Sequence, residues 1–382
     1  NTLVTSGSSV TASTALVDIT DASFASTSAT IQATALSGIG AKTSGTVTAN
    51  NAIRITGSAS EVTAALVTPS SKIEAGQSGT VAVVDTTVSA QQGAGFTSIE
   101  NVNALFTNGV EDSIANLTQS NTQISTNLGT ITAFDTTTKI RIDDAAFDST
   151  SQTINALRFS TIGGSTSGAV TVNNAVKMSG STSEITNVLV TGSSSVTAST
   201  ALVDITDGTF ASTSATIAAT VLSGIGAKTS GAVTLQNKVR IEGTQSEVTA
   251  ALVTNPSKVL ANATDTEARV TNAVDVSEGS AIGAVAKIKG IFAGGVSDSL
   301  SNLASGGSAS SNLTTITGDD SDVAITISDG TFASTSATLS ATDVSAVGGA
   351  TTGTVTVSNA VKIVGAASDL TNTLVTSGSS VT

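Results

Sequence analysis

The chain has 382 residues, 39% hydrophobic, 11% charged and 2% aromatic, with 9 Phe and no Trp, Tyr, Cys or His. Without His or Cys there is no Ser-His-Asp or Cys-His nucleophile system, no disulfide and none of the usual zinc ligand sets. A net charge of −13 argues against nucleic acid, whose phosphates demand Lys and Arg patches, and no stretch approaches the ~20 apolar residues of a membrane span.

Residues 1–68 align without a gap to residues 187–254, 186 positions on, with 53 of the 68 identical. Within that block, VDITD from Val17 predicts a strand ending in a turn. The Gly residues of SGIGAKTSG, from Ser37, predict turns. TVTAN from Thr46 and AIRIT from Ala52 predict strands. In SASEVTAALV, Ser58 stands three residues before Glu61, the capping-box spacing that predicts a short helix. Its counterparts are Ser181 with Glu184, Thr244 with Glu247, and Ala366 with Asp369.

Farther along, FTNGVEDSIANL from Phe106 matches FAGGVSDSLSNL from Phe292, again 186 residues on. The Phe residues that precede Ser/Thr-rich segments, Phe24, Phe147, Phe210 and Phe332, lie 123, 63 and 122 residues apart. These spacings divide the chain into six units of about 62 residues, a repeat architecture, of which the second and fifth are diverged. Two superunits of three repeats follow, residues 1–186 and 187–371, and residues 372–382 begin a further repeat. NTLVTSGSSVT occupies both residues 1–11 and residues 372–382, so the chain is expected to be a window on a longer array.

Short strands at regular spacing, Gly turns and a fixed period lead to an all-β expectation with short helices, a parallel β-solenoid built from the tandem repeats. Tandem β-sandwich domains are the alternative. Phe24, Phe147, Phe210 and Phe332 are expected to fill equivalent core positions.

Carboxylates are the remaining chemistry. Asp143, Asp144 and Asp148, and Asp319, Asp320 and Asp322 in GDDSD, are weak candidates for a hard-cation site, Ca²⁺ first. Solvated turn carboxylates are the plainer reading of the same residues. The pairs Asp18/Asp21 and Asp204/Asp207 recur in the duplicated VDITD motif. No cofactor is required by any motif. The TVT triplets at Thr46 and Thr354 raise ice or surface binding as an alternative function.

ALSGIGAKTSGTVTANNAIRITGSASEVTAALVT and its variant VSAVGGATTGTVTVSNAVKIVGAASDLTNTLVT resemble the Ala/Thr-rich tandem-repeat regions of giant bacterial cell-surface proteins, cyanobacterial ones especially. The resemblance covers four of the six units. It implies an extracellular, cell-surface structural protein rather than an enzyme: a rod or filament segment, or the extender of a large adhesin. The expected partners are further copies, end to end and laterally, with surface glycans as the other candidate, and neither nucleic acid nor membrane insertion.

Overall fold

The computed structural model describes residues 13–23, 30–70, 73–148, 151–191, 196–211, 216–254, 259–333, 338–376 and 381–382. The NTLVTSGSSVT copy at residues 1–11 and Phe24 lie outside them. In the first repeat, Val17–Ile19 is a strand with Ile19 buried and Asp18 exposed, the alternation of a strand with one face on a core. Ala33–Gly40 follows as an α-helix that buries Ala33, Leu36 and Gly40, spaced three and four apart as a single helix face requires. Strands Val47–Ala49 and Arg54–Gly57 again hide alternate residues. The expected helix at SASEVTAALV is present as Ala59–Val62, continued by a π-helical turn at Thr63–Val67. Its capping box is formed: Glu61 N donates to Ser58 Oγ at 3.3 Å, and Ser58 N donates to Glu61 Oε2 at 2.8 Å.

The chain divides into two compact units, Asn1–Lys177 with Asn187–Thr200, and Met178–Thr186 with Ala201–Thr382. In the first, parallel ladders align Val17 with Val47 and Val47 with Ile73. A second ladder runs Ile31, Ile55, Ala82, Ala104, and a third Val110, Ile140, Val170, Val196. In the second unit the ladders run Val203, Val233, Val259; Ile217, Ile241, Ala268, Gly290; and Val296, Ile325, Val355. Paired residues therefore stand from 22 positions apart (Ala82 to Ala104) to 30 (Val17 to Val47). A segment of that length crosses from one parallel strand to the next and has room for a helix.

The all-β expectation is overturned. Among the described residues the chain carries 14 α-helices and is mixed α/β, with strands gathered into separate sheets of two to five rather than the continuous sheets of a solenoid. The sandwich alternative also fails, because antiparallel pairing among the described residues is confined to two hairpins, Thr118–Ser120 with Gln123–Ile124 and Ala304–Ser305 with Ser308–Ala309. The cause is local. SGIG, read as turn chemistry, lies in helices Ala33–Gly40 and Ala219–Gly226, where Ala and Leu favour the helix and Leu222, Ile225 and Gly226 share its buried side.

Helices also pack on helices: Ala90–Thr97 on Thr126–Phe134, and Val276–Gly283 on Ser311–Asp319. At both places a glycine permits the approach. A Cβ on Gly93 would lie 2.6 Å from Ile131 Cδ1, and one on Gly279 would lie 2.7 Å from Ile316 Cδ1. Fully buried Phe96, Phe159 and Phe292 sit with Leu and Ile in the core.

Candidate functional site

The six predicted carboxylates do not converge. In the first unit, Asp144 Oδ2 accepts from Ile114 N at 2.7 Å, ahead of helix Ile114–Leu117. Asp143 Oδ1 accepts from Asn173 Nδ2 at 3.2 Å, and Asp148 Oδ1 accepts from Ser151 Oγ at 2.9 Å. In the second unit, Asp319 Oδ2 accepts from Gly290 N at 2.8 Å, and Asp320 Oδ2 from Phe292 N at 2.7 Å. Asp322 lies beside Asp320. Burial raises the Asp320 carboxyl above its ordinary pKa; the Phe292 amide opposes the rise, Asp322 adds to it, and Lys289 opposes it. Of the duplicated VDITD acids, Asp207 accepts from Thr182 N at 2.7 Å and from Thr182 Oγ1 at 2.6 Å. Among the described residues no group of three or more carboxylates is placed to hold a metal ion. The oxygens of Asp143, Asp144, Asp207, Asp319 and Asp320 hold amide donors from segments 25 to 30 residues away in sequence, which is the work of remote helix caps and strand ties.

Three further contacts recur with the repeat. First, an Asn side chain ties down the carbonyl of the Asp 30 residues earlier: Asn51 Nδ2 to Asp21 O at 2.7 Å, Asn174 to Asp144 at 2.8 Å, Asn237 to Asp207 at 2.8 Å and Asn359 to Asp329 at 2.7 Å. Second, a buried Thr reaches the carbonyl 28 residues earlier: Thr43 Oγ1 to Ala15 O at 2.5 Å, Thr166 to Thr138 at 2.6 Å, Thr229 to Ala201 at 2.5 Å and Thr351 to Val323 at 2.7 Å. The same hydroxyl accepts from the amide of the Gly two residues on, Gly45, Gly168, Gly231 or Gly353. A buried hydroxyl that both donates and accepts is satisfied, so its burial carries no desolvation penalty.

The third contact corrects the expectation for the repeated Phe residues. Phe147, Phe210 and Phe332 are half-buried rather than core, and each ring lies under the cation 30 residues later. Lys177 Nζ is 5.1 Å from the Phe147 centroid, Arg240 Cζ 4.1 Å from Phe210, and Lys362 Nζ 5.5 Å from Phe332. Arg240 also meets its strand neighbour Glu267, Nη2 to Oε2 at 2.6 Å. An aligned Lys or Arg 30 residues after every repeated Phe, Arg54 after Phe24 included, was the available sequence signal.

The outward positions of the strands align Ser297, Thr326 and Thr356 in one sheet of the second unit, but Thr is interrupted in the other sheets. Thr48 lies between Asp18 and Glu74, Thr171 between Arg141 and Thr197, and Thr234 between Asp204 and Leu260. In the first unit a hollow of about 420 Å³ opens beside Phe147, with Asp144, Arg158 and Lys177 in its lining. No helix among the described residues is long and apolar enough to cross a membrane. No protein-family model, curated protein or solved structure matches the chain.

Proposed function

We propose that this chain is a structural repeat segment of an extracellular rod or filament on a bacterial surface, and that its work is mechanical rather than catalytic. The observation that carries the reading is the recurrence of one set of ties in repeat after repeat: Asn to Asp carbonyl, buried Thr to carbonyl, and cation over Phe. A catalytic or ligand site needs one constellation made once. A load-bearing array needs the same nearest-neighbour contact many times, because its stability is a sum of repeat and interface terms. The acidic surface keeps such an array soluble, and the resemblance to giant cell-surface repeats points to the same compartment. No ion is required in this reading, and Ca²⁺ would bind only as one of many counter-ions.

Antibodies raised against this segment, applied to intact source cells and to thin sections of them for immunogold imaging, are expected to label filaments or a coat outside the cell. Label confined to the cytoplasm would overturn the proposal.

A further inference from the structure

One helix carries a cation where its aligned copies have none. Arg158 is the third residue of helix Ala156–Gly163, and the aligned helices Ala33–Gly40, Ala219–Gly226 and Ala341–Ala350 hold Ala35, Val221 and Asp343 there. The first turn of a helix is the positive end of its dipole and leaves amides unsatisfied, so an acid is favoured there and a cation disfavoured. Asp343 obeys this, and its Oδ1 accepts from Gly307 N at 2.6 Å. Arg158 does not, and its Nε is buried with no hydrogen-bond partner among the described residues. Leaving that donor unsatisfied costs stability that Ala or Val would not lose. A local rule broken in one copy alone marks a place where binding rather than folding explains the residue.

Gly307 aligns with Asn121, 186 residues earlier, and Asn121 and Arg158 both line the hollow of about 420 Å³ beside Phe147. Lys177 is a second cation of that lining, its Nζ 5.1 Å from the Phe147 centroid. Asp144 is the carboxylate among the described lining residues, and its Oδ2 is engaged by Ile114 N at 2.7 Å. Two cations against one carboxylate leave the hollow positive in a chain of net charge −13, and a recess with low-dielectric walls concentrates that field. Asn121 and Gln152 add side-chain amides, and Phe147 an apolar ring. The volume suits a small molecule rather than a folded partner.

We infer that this hollow binds a sugar acid, the uronate unit of an acidic polysaccharide. The Arg158 guanidinium donates to the carboxylate and gives its Nε a partner, Lys177 adds its charge, and the amides of Asn121 and Gln152 meet the ring hydroxyls. A bare anion would use the cations alone, and a neutral sugar the amides and the Phe147 ring alone. A charged sugar uses both sets. The inference goes beyond the mechanical reading, since it places one glycan contact on a segment whose other recurring contacts are internal.

Saturation-transfer NMR titrations of the 382-residue chain with D-glucuronate, D-glucose and acetate, at matched ionic strength, compare the charged sugar with each of its halves. Glucuronate is expected to bind with a Kd of ~1 to 10 mM, and glucose and acetate each about tenfold more weakly or worse. Arg158→Val installs the residue of the aligned helix Ala219–Gly226. It is expected to weaken glucuronate binding about tenfold while the melting temperature holds or rises, because the unpaired buried nitrogen is gone. Glucuronate bound no better than glucose or acetate overturns the inference, and so does equal binding by the Arg158→Val chain. A variant that melts lower would mark Arg158 as a structural residue and overturn it too. None of these results touches the extracellular structural reading, which cell-surface labelling decides.

Discussion

At Gly231 the fold leaves no room for a side chain. An added Cβ would overlap the Ala201 carbonyl oxygen, and Gly45, Gly168 and Gly353 stand against the carbonyls of Ala15, Thr137 and Asp322 in the same way. Backbone cannot give way as a flexible side chain can, so Gly231→Ala is expected to cost about 2 kcal/mol or more, the scale of overpacking. Gly224, seven residues earlier in helix Ala219–Gly226, has nothing within 4 Å of its Cβ position. Gly224→Ala is therefore expected to stabilise by up to ~1 kcal/mol through helix propensity. Denaturant melts of the two variants check the contrast, and equal effects would refute it. Asp320 offers a pH test. Its carboxyl is raised above the ordinary value of 3.8, by burial first, so the folded state holds the proton more tightly than the unfolded chain. The penalty is absent below the ordinary value, grows as pH rises through the raised one and is complete above it. Asp320→Asn keeps an oxygen for the Phe292 amide and is expected to raise the melting temperature at pH 7, with no gain at pH ~3. A gain independent of pH would contradict this origin.

The elements themselves were unequally legible in the sequence. Strands such as Val47–Ala49 and Arg54–Gly57 could be read because β-branched residues cluster there, with apolar and polar positions alternating across them. The helix after Ser58 could be read because a capping box is a local signal of two side chains three residues apart. Ala33–Gly40 could not, because eight residues hold only about two turns, too few for a 3.6-residue period to stand out, and its two glycines imitate a turn. The partner of each carboxylate was hidden for another reason: Asp144 and Asp320 are visible as acids, but the amides they hold, of Ile114 and Phe292, lie 30 and 28 residues away. Only the register of parallel strands brings them together. The capping box also allows a prediction between copies. Glu61 Oε2 accepts from Ser58 N at 2.8 Å and Ser58 Oγ accepts in return from Glu61 N, while in the last copy Asp369 accepts from Ala366 N at 3.3 Å and Ala366 has no hydroxyl to return the bond. Ala366→Ser is expected to stabilise helix Ala367–Leu374, and Ser58→Ala to destabilise helix Ala59–Val62, each by about 1 kcal/mol. Amide exchange along each helix measures this; unchanged protection in both would count against the caps.

For the whole molecule, 28 acidic residues face 15 basic ones, and two explanations of how cations act on it can be separated. If acidic turns built Ca²⁺ sites, micromolar to millimolar Ca²⁺ would stabilise the fold far beyond its ionic strength, since specific binding adds RT ln(1 + [L]/Kd) to stability. If the carboxylates are held by amides, as Asp144, Asp207, Asp319 and Asp320 are, cations act only by screening the net charge of −13. Screening depends on ionic strength, with a Debye length of ~10 Å at 0.1 M, and is indifferent to the ion's coordination preferences. Melting temperature is therefore expected to rise with salt, equally for NaCl, MgCl₂ and CaCl₂ matched in ionic strength, and EDTA is expected to leave it unchanged. A Ca²⁺ response several degrees above the Mg²⁺ response would show that acidic side chains rearrange around the ion and give up their amide partners. The ties between neighbouring strands would then be ion-dependent, and so would the stiffness of any filament built from them.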